Sequence, residues 1–109
     1  RRVLKPHGQL IGAVPFLVAY HPDPHDYWRF TRESLEKIFM TAGFSNIQIK
    51  SFGCGPLCAG FSQMEIIMPR VLKVLLLPIV LFLDKLIIKF RPKMNRERFP
   101  LGLFFSCSK

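Results

Sequence analysis

Ten uninterrupted apolar residues, VLLLPIVLFL at positions 74–83, constrain this chain more than any other feature. A helix needs roughly twenty such residues to cross a bilayer, so the run is too short to span one. It is also too apolar to face water on every side. Pro78 lies inside it and predicts a break in the helix at that point. Basic residues frame the run: Arg70 and Lys73 precede it, and Lys85, Lys89 and Arg91 follow, with Lys93, Arg96 and Arg98 beyond. Two placements satisfy the pattern. In one, the segment lies in the headgroup layer of a membrane, with Arg70, Lys73, Lys85, Lys89 and Arg91 against anionic lipid and the apolar side sunk inward. In the other, a helix pair broken at Pro78 is covered by the rest of the protein.

The 109 residues suit one small domain, which buries about two-thirds of the surface its unfolded chain exposes. Half of the residues are hydrophobic, eleven are Phe and 21% are charged, which excludes a disordered or collagen-like chain. The net charge of +9 brings nucleic acid into consideration, but the charge is local. Residues 1–65 carry a net +2 and residues 66–98 a net +6. Those bases flank aliphatic side chains and do not interleave with Tyr or Trp that could stack on bases, so nucleic acid ranks below both other placements. Cys54, Cys58 and Cys107 are odd in number and match no thiolate metal spacing. They read as reduced, metal-free residues of a cytoplasmic chain, peripheral at a membrane in the first placement. Arg1 and Arg2 lead straight into structured-looking sequence, as expected of a piece of a longer protein.

Leu4-Lys5-Pro6-His7-Gly8 is turn chemistry, with Gly8 available for a positive φ. QLIGAVPF at 9–16 is an apolar run that predicts a short strand covered on both faces and ending at Pro15. Thr31 predicts a helix N-cap, with Glu33 near the positive end and Phe30 and Leu35 as a hydrophobic staple. Leu35, Ile38, Phe39 and Ala42 fall on one stripe, and Gly43 predicts a left-handed cap closed by Phe44. NIQIKSF at 46–52 alternates as a half-buried strand does, and LGLFFSC at 101–107 predicts a last strand. The order is strand, loop, helix, strand, helical insertion, strand. Residues 1–56 form an α/β core, 57–98 a basic, hydrophobic helical insertion, and 99–109 the closing strand of the core.

The loop LVAYHPDPHDYWRF at 17–30 gathers most of the reactive side chains. It follows the carboxyl end of a strand, where α/β proteins bind ligands, so His21, His25, Asp26, Tyr27 and Arg29 are candidates for a substrate pocket. His21 and His25 titrate near working pH and are candidate proton acceptors. The plainer alternative pairs Asp26 with Arg29 and packs Tyr27, Trp28 and Phe30 against the sheet. His21, Asp23, His25 and Asp26 are metal-ligating types, but their proximity in sequence is no coordination geometry, and no metal is assigned.

These residues carry a resemblance. Arg2-Val3-Leu4-Lys5-Pro6-His7-Gly8, leading into a strand that ends Val14-Pro15-Phe16, resembles the turn and fifth strand of class I S-adenosylmethionine-dependent methyltransferases. His25-Asp26-Tyr27-Trp28-Arg29-Phe30-Thr31, followed by a helix ending Ala42-Gly43-Phe44, is similar to the corresponding stretch of the methyltransferase type 11 group. The closing LGLFFSCSK resembles that fold's last strand, which inserts antiparallel beside the fifth. The resemblance covers about residues 1–56 and 99–109 and implies the C-terminal part of a Rossmann-like α/β sheet. His7 stands where the family has Gly, a departure that adds modest strain if the position needs a positive φ. The Gly-rich first loop and the acidic ribose ligand that would hold S-adenosylmethionine are absent from these 109 residues. The implication is therefore an acceptor-side fragment, inactive by itself, of an enzyme whose cofactor residues lie elsewhere; the methyl acceptor is left open.

Overall fold

The computed structural model describes residues 2–20 and 22–109. Among them the elements run β1 (Gln9–Pro15), α1 (Arg32–Thr41), β2 (Ser45–Phe52), α2 (Pro56–Met64), a 3-10 turn (Glu65–Ile67), α3 (Arg70–Phe90) and β3 (Gly102–Ser108). The fold is a mixed α/β arrangement. β3 lies between β1 and β2 and pairs antiparallel with each, so β1 and β2 run parallel to one another with α1 connecting them.

The turn before β1 closes where Gly8 N–H donates to the Lys5 carbonyl at 2.9 Å. His7, and not Gly8, takes the positive φ, at 60°. This is the third position of a turn with Pro6 at the second, where left-handed backbone is needed and Gly is the usual occupant. His bears it as one of the side chains that tolerate that region.

α1 begins as its sequence predicts. The Thr31 hydroxyl accepts from Ser34 N–H at 3.2 Å, and the Glu33 carboxyl, bonded to its own backbone N–H and to Thr31, titrates below its ordinary value. It ends in a Schellman arrangement: Gly43 has φ 78°, its N–H donates to the Met40 carbonyl, and Phe44 N–H donates to the Phe39 carbonyl. The buried stripe is narrower than the periodicity predicts. Leu35 and Phe39 are buried, whereas Ile38 and Ala42 are exposed. Leu35 and Phe39 pack on Leu103 and Cys107 of β3, and Phe30 joins them as the staple residue. The Phe39 ring lies 4.9 Å from Phe105 and meets Phe44 edge-on at 6.0 Å.

α1 covers one face of the sheet only. β1 is accordingly not buried on both faces: its burial alternates, with Leu10 and Val14 toward α1 and Ile11, 71% exposed, on the opposite side. β1 is also one of the sheet's two edge strands. Its apolar run thus marks two faces that could be covered, of which these residues cover one.

The expected break at Pro78 does not occur. α3 is continuous for 21 residues with Pro78 inside, and the interruption falls at Met68-Pro69, where Pro69 is the N-cap. Pro78 removes one donor, that for the Val74 carbonyl, on an exposed face of the helix, and the other backbone bonds carry the helix past it. α2 packs against α3 as a hairpin. Its N-cap, Gly55, has no side chain to cap with, and Asp84 of α3 does so instead. The Asp84 carboxylate, 1% exposed, accepts from Leu57 N–H at 3.0 Å and from Cys58 N–H at 2.7 Å.

Segment 91–101 returns the chain to the sheet. Glu97 accepts from the Ser51 hydroxyl of β2 at 3.0 Å and pairs with Arg32 of α1.

Replacing Asp84 by Ala leaves two buried helix N–H groups without acceptors and is expected to lower the unfolding free energy by about 2–4 kcal/mol in urea titration. A Cβ at Gly55 would lie 2.7 Å from Asp84 Oδ1. Gly55→Ala should therefore destabilise through the same contact, and the double variant should lose less than the two single losses together. Full additivity would show that the cap does not couple the helices.

Candidate functional site

β1 and β2 deliver their carboxyl ends to the same edge of the sheet, and Leu101 joins them. Its carbonyl accepts from Phe16 N–H at 2.9 Å and Leu17 N–H at 3.0 Å, and its own N–H donates to the Phe52 carbonyl at 2.9 Å. α2 closes over this edge, with Gln63 Nε2 donating to the Leu17 carbonyl at 3.1 Å. Between them lies a cleft of about 560 Å³. Val14, Pro15, Leu17, Val18, Phe52 and Ile66 make most of its wall, and Ser62, Gln63 and Glu65 supply its polar groups. A largely apolar recess with a few convergent polar atoms is the usual form of a small-molecule site.

Among the described residues, the reactive-looking loop reaches that cleft only through its first residues, Leu17, Val18 and Ala19. His21 lies outside the described residues. His25 and Tyr27 come together, ring centroids 5.1 Å apart, with Tyr27 73% exposed. Asp26 and Arg29 form a two-pronged ion pair through both guanidinium Nη atoms. The hydrogen bond to Asp26 holds the Arg29 guanidinium above its ordinary range, with the charge of Asp26 adding to it. None of these four residues lines the cleft. The alternative in which Tyr27 and Trp28 pack on the sheet is also corrected: both rings are exposed, and only Phe30 of the three reaches the core. The Asp26–Arg29 pair fastens the chain locally on its way to α1, which leaves the neighbouring rings turned outward. Among the described residues, no group of three His, Cys, Asp or Glu side chains is placed to hold a metal ion.

A second cleft, about 420 Å³, opens between α3 and the β2–α2 junction and is lined by Cys54, Asp84, Lys85, Asn95 and Arg96. Cys54 is exposed and Cys58 buried, both as free thiols. Burial first, then the adjacent Cys54 thiol and the Asp84 charge, pushes Cys58 up to about 11. The role of Asp84 is one that the sequence reading does not assign. The signal is present: a lone acid in an apolar helix, and a Gly-Pro helix start that carries no capping side chain of its own.

The proposed basic contacts sit on α3 as follows. Arg70, Lys85, Lys89 and, just past the helix, Arg91 are exposed, whereas Lys73 is half-buried on the side toward α2. At about 100° per residue, Val71, Leu75, Pro78 and Phe82 fall on the side away from Asp84, with Val74 on the flank. All five are exposed, Phe82 to 65%, and Lys85 and Lys89 continue that face toward the C-terminus. No helix of the described residues is long and apolar enough to cross a membrane.

Iodoacetamide at pH 8 should label the exposed Cys54 readily and Cys58 far more slowly, since Cys58 is buried and its thiol is pushed up to about 11. Burial raises Cys107 too and should slow it likewise. A thiol whose folded value exceeds its unfolded one binds its proton more tightly when folded. The stability linked to Cys58 is therefore present below pH 9 and lost as pH rises toward 11, a slope that Cys58→Ser should remove from the urea midpoint. Peptide mass mapping that found Cys54 and Cys58 labelled at equal rates would contradict this arrangement.

Compared with protein-family models, with curated proteins and with solved structures, the chain matches none.

Proposed function

We propose that this chain is the C-terminal part of a Rossmann-like, class I S-adenosylmethionine-dependent methyltransferase of the type 11 group, contributing the acceptor side of the pocket. One observation carries most of the support: β3 pairs antiparallel between two parallel strands that α1 connects, which is the placement the resemblance implies for the closing strand beside the fifth. A cleft at the carboxyl ends of those strands adds to it, because open α/β sheets bind ligands there. The uncovered face of β1, with Ile11, is where further layers of such a sheet would pack.

The residues present do not form a site for S-adenosylmethionine. Among the described residues, the Gly-bearing link from a strand to a helix is Gly53-Cys54-Gly55 between β2 and α2, and the helix start it leads to is already taken by the Asp84 carboxylate, so no step of methyl transfer is assigned to a side chain here. The contribution of this chain is a shaped apolar cleft and the loop beside it. His25, with Tyr27 against it, is the described candidate for a proton acceptor, and His21 is the other. The gene upstream of Arg1 should encode a strand, a Gly-rich turn and a helix about a hundred residues earlier. Calorimetry should then detect S-adenosylmethionine binding to the longer product and none to residues 1–109. An open reading frame that starts at Arg1 would remove catalysis from this chain.

A second reading, docking to an anionic membrane surface, has its own support in the outward face of α3. Val71, Val74, Leu75 and Phe82 are exposed together, and Arg70, Lys85, Lys89 and Arg91 stand at the ends of that apolar strip. Each base near an anionic surface contributes about 1 kcal/mol, and long Lys side chains reach the headgroups while their stems stay in the apolar layer. The chain should float with vesicles containing phosphatidylglycerol at low salt, and Lys85→Glu with Lys89→Glu should reduce the bound fraction by about tenfold or more. Absence of flotation at low ionic strength would reject docking.

A further inference from the structure

The apolar cleft and the apolar face of α3 meet at the 3-10 turn. Ile66 of Glu65–Ile67 is a wall residue of the cleft and is itself 64% exposed. Ile67 beside it is still more exposed, and beyond the break at Met68-Pro69 Val71 opens the outward strip of α3. Exposed apolar side chains thus follow one another from the cleft wall at Ile66, through Ile67, to the helix face that Lys85 and Lys89 border, with Arg70 exposed at the start of the helix. Exposed apolar surface of this kind marks a binding or membrane-contact site.

We infer that the cleft receives the apolar portion of an amphiphile resident in an anionic lipid surface, with Ile66 and Ile67 as the threshold between bilayer and cleft. The inference rests on the cleft being the acceptor side and α3 the docking face, and it names the acceptor class: a lipid or lipid-linked molecule. The lining fits such a guest. Val14, Pro15, Leu17, Val18 and Phe52 offer hydrocarbon contact, while Ser62 and Gln63 of α2 and Glu65 of the 3-10 turn supply hydrogen-bonding groups. A water-soluble polar acceptor would leave most of its groups unpaired against these walls. The charge pattern selects the source, since bases bordering an apolar strip complement an anionic surface and would repel a cationic one.

Vesicles of phosphatidylcholine and phosphatidylglycerol, doped with phosphatidylglycerol carrying a diazirine near the end of one acyl chain, test this directly. After irradiation of residues 1–109 bound to them, peptide mass mapping should place adducts in two regions: on the outward face of α3, and inside the cleft at residues 13–19 and 62–66. Ala13 and Ser62 line the cleft. Ala13→Trp and, separately, Ser62→Trp narrow it, and each should cut the cleft adducts about tenfold while flotation and the α3 adducts stay unchanged. Adducts confined to α3, or cleft adducts indifferent to both substitutions, would overturn the inference, as would the absence of adducts anywhere. No methyl donor enters the assay. Failure here leaves the methyltransferase reading standing, whereas failure of the longer chain to bind S-adenosylmethionine would remove that reading with the adducts unaltered.

Discussion

A single carboxylate orders the half of the molecule that surrounds the candidate site. Burying the Asp84 charge is unfavourable by several kcal/mol unless it is hydrogen-bonded, and the two N–H groups at the start of α2, at the positive end of that helix, compensate it. The contact locks α2 to α3 at one register and one rotation. Because Asp84 must face α2, the residues about half a turn around the helix, Val71 and Phe82 among them, must face outward. Because α2 is held there, Gln63 reaches the Leu17 carbonyl and Ile66 closes the cleft. Gly55 is required for the same reason, since any Cβ would stand where the Asp84 carboxylate sits.

The other half of the molecule depends on a strand that arrives last in sequence and lies in the middle of the sheet. β3 hydrogen-bonds to both neighbours, and Leu103 and Cys107 give it the most deeply buried apolar positions under α1. Leu101, just before it, ties the ends of β1 and β2 together and forms part of the cleft. Segment 91–101 is thereby a connector with two duties, returning the chain from α3 and fastening α1 and β2 through Glu97.

Local chemistry makes α1 legible in the sequence. Thr31, Glu33, Gly43 and Phe44 act within one turn of where they stand, and their hydrogen bonds form as the residue types dictate. The strands lie within about a residue of the alternating and apolar runs that predict them for the same reason: alternation and turn residues are short-range signals. Pro78 does not interrupt α3, whose other backbone bonds carry the helix past the one donor it removes, and Pro69, at a boundary position, is the true punctuation. β1 departs from expectation because an apolar sequence states which surfaces can be covered, not which are. In the reactive-looking loop the residue types are capable of chemistry, but Asp26 pairs with Arg29 and Tyr27 turns outward, so that composition does not locate the cleft.

By itself, the sequence determined the three strands, α1, their order and the concentration of positive charge around one greasy segment, since all of these follow from residue type and near-neighbour spacing. Only the tertiary structure decided that Asp84 caps a helix 26 residues away, that β3 separates β1 from β2, and that Ile66 belongs both to a cleft and to an exposed apolar face. Those facts depend on which distant backbone groups find which partners. A carboxylate and an orphaned N–H are each visible in sequence, but the bond between them exists only once the chain has folded.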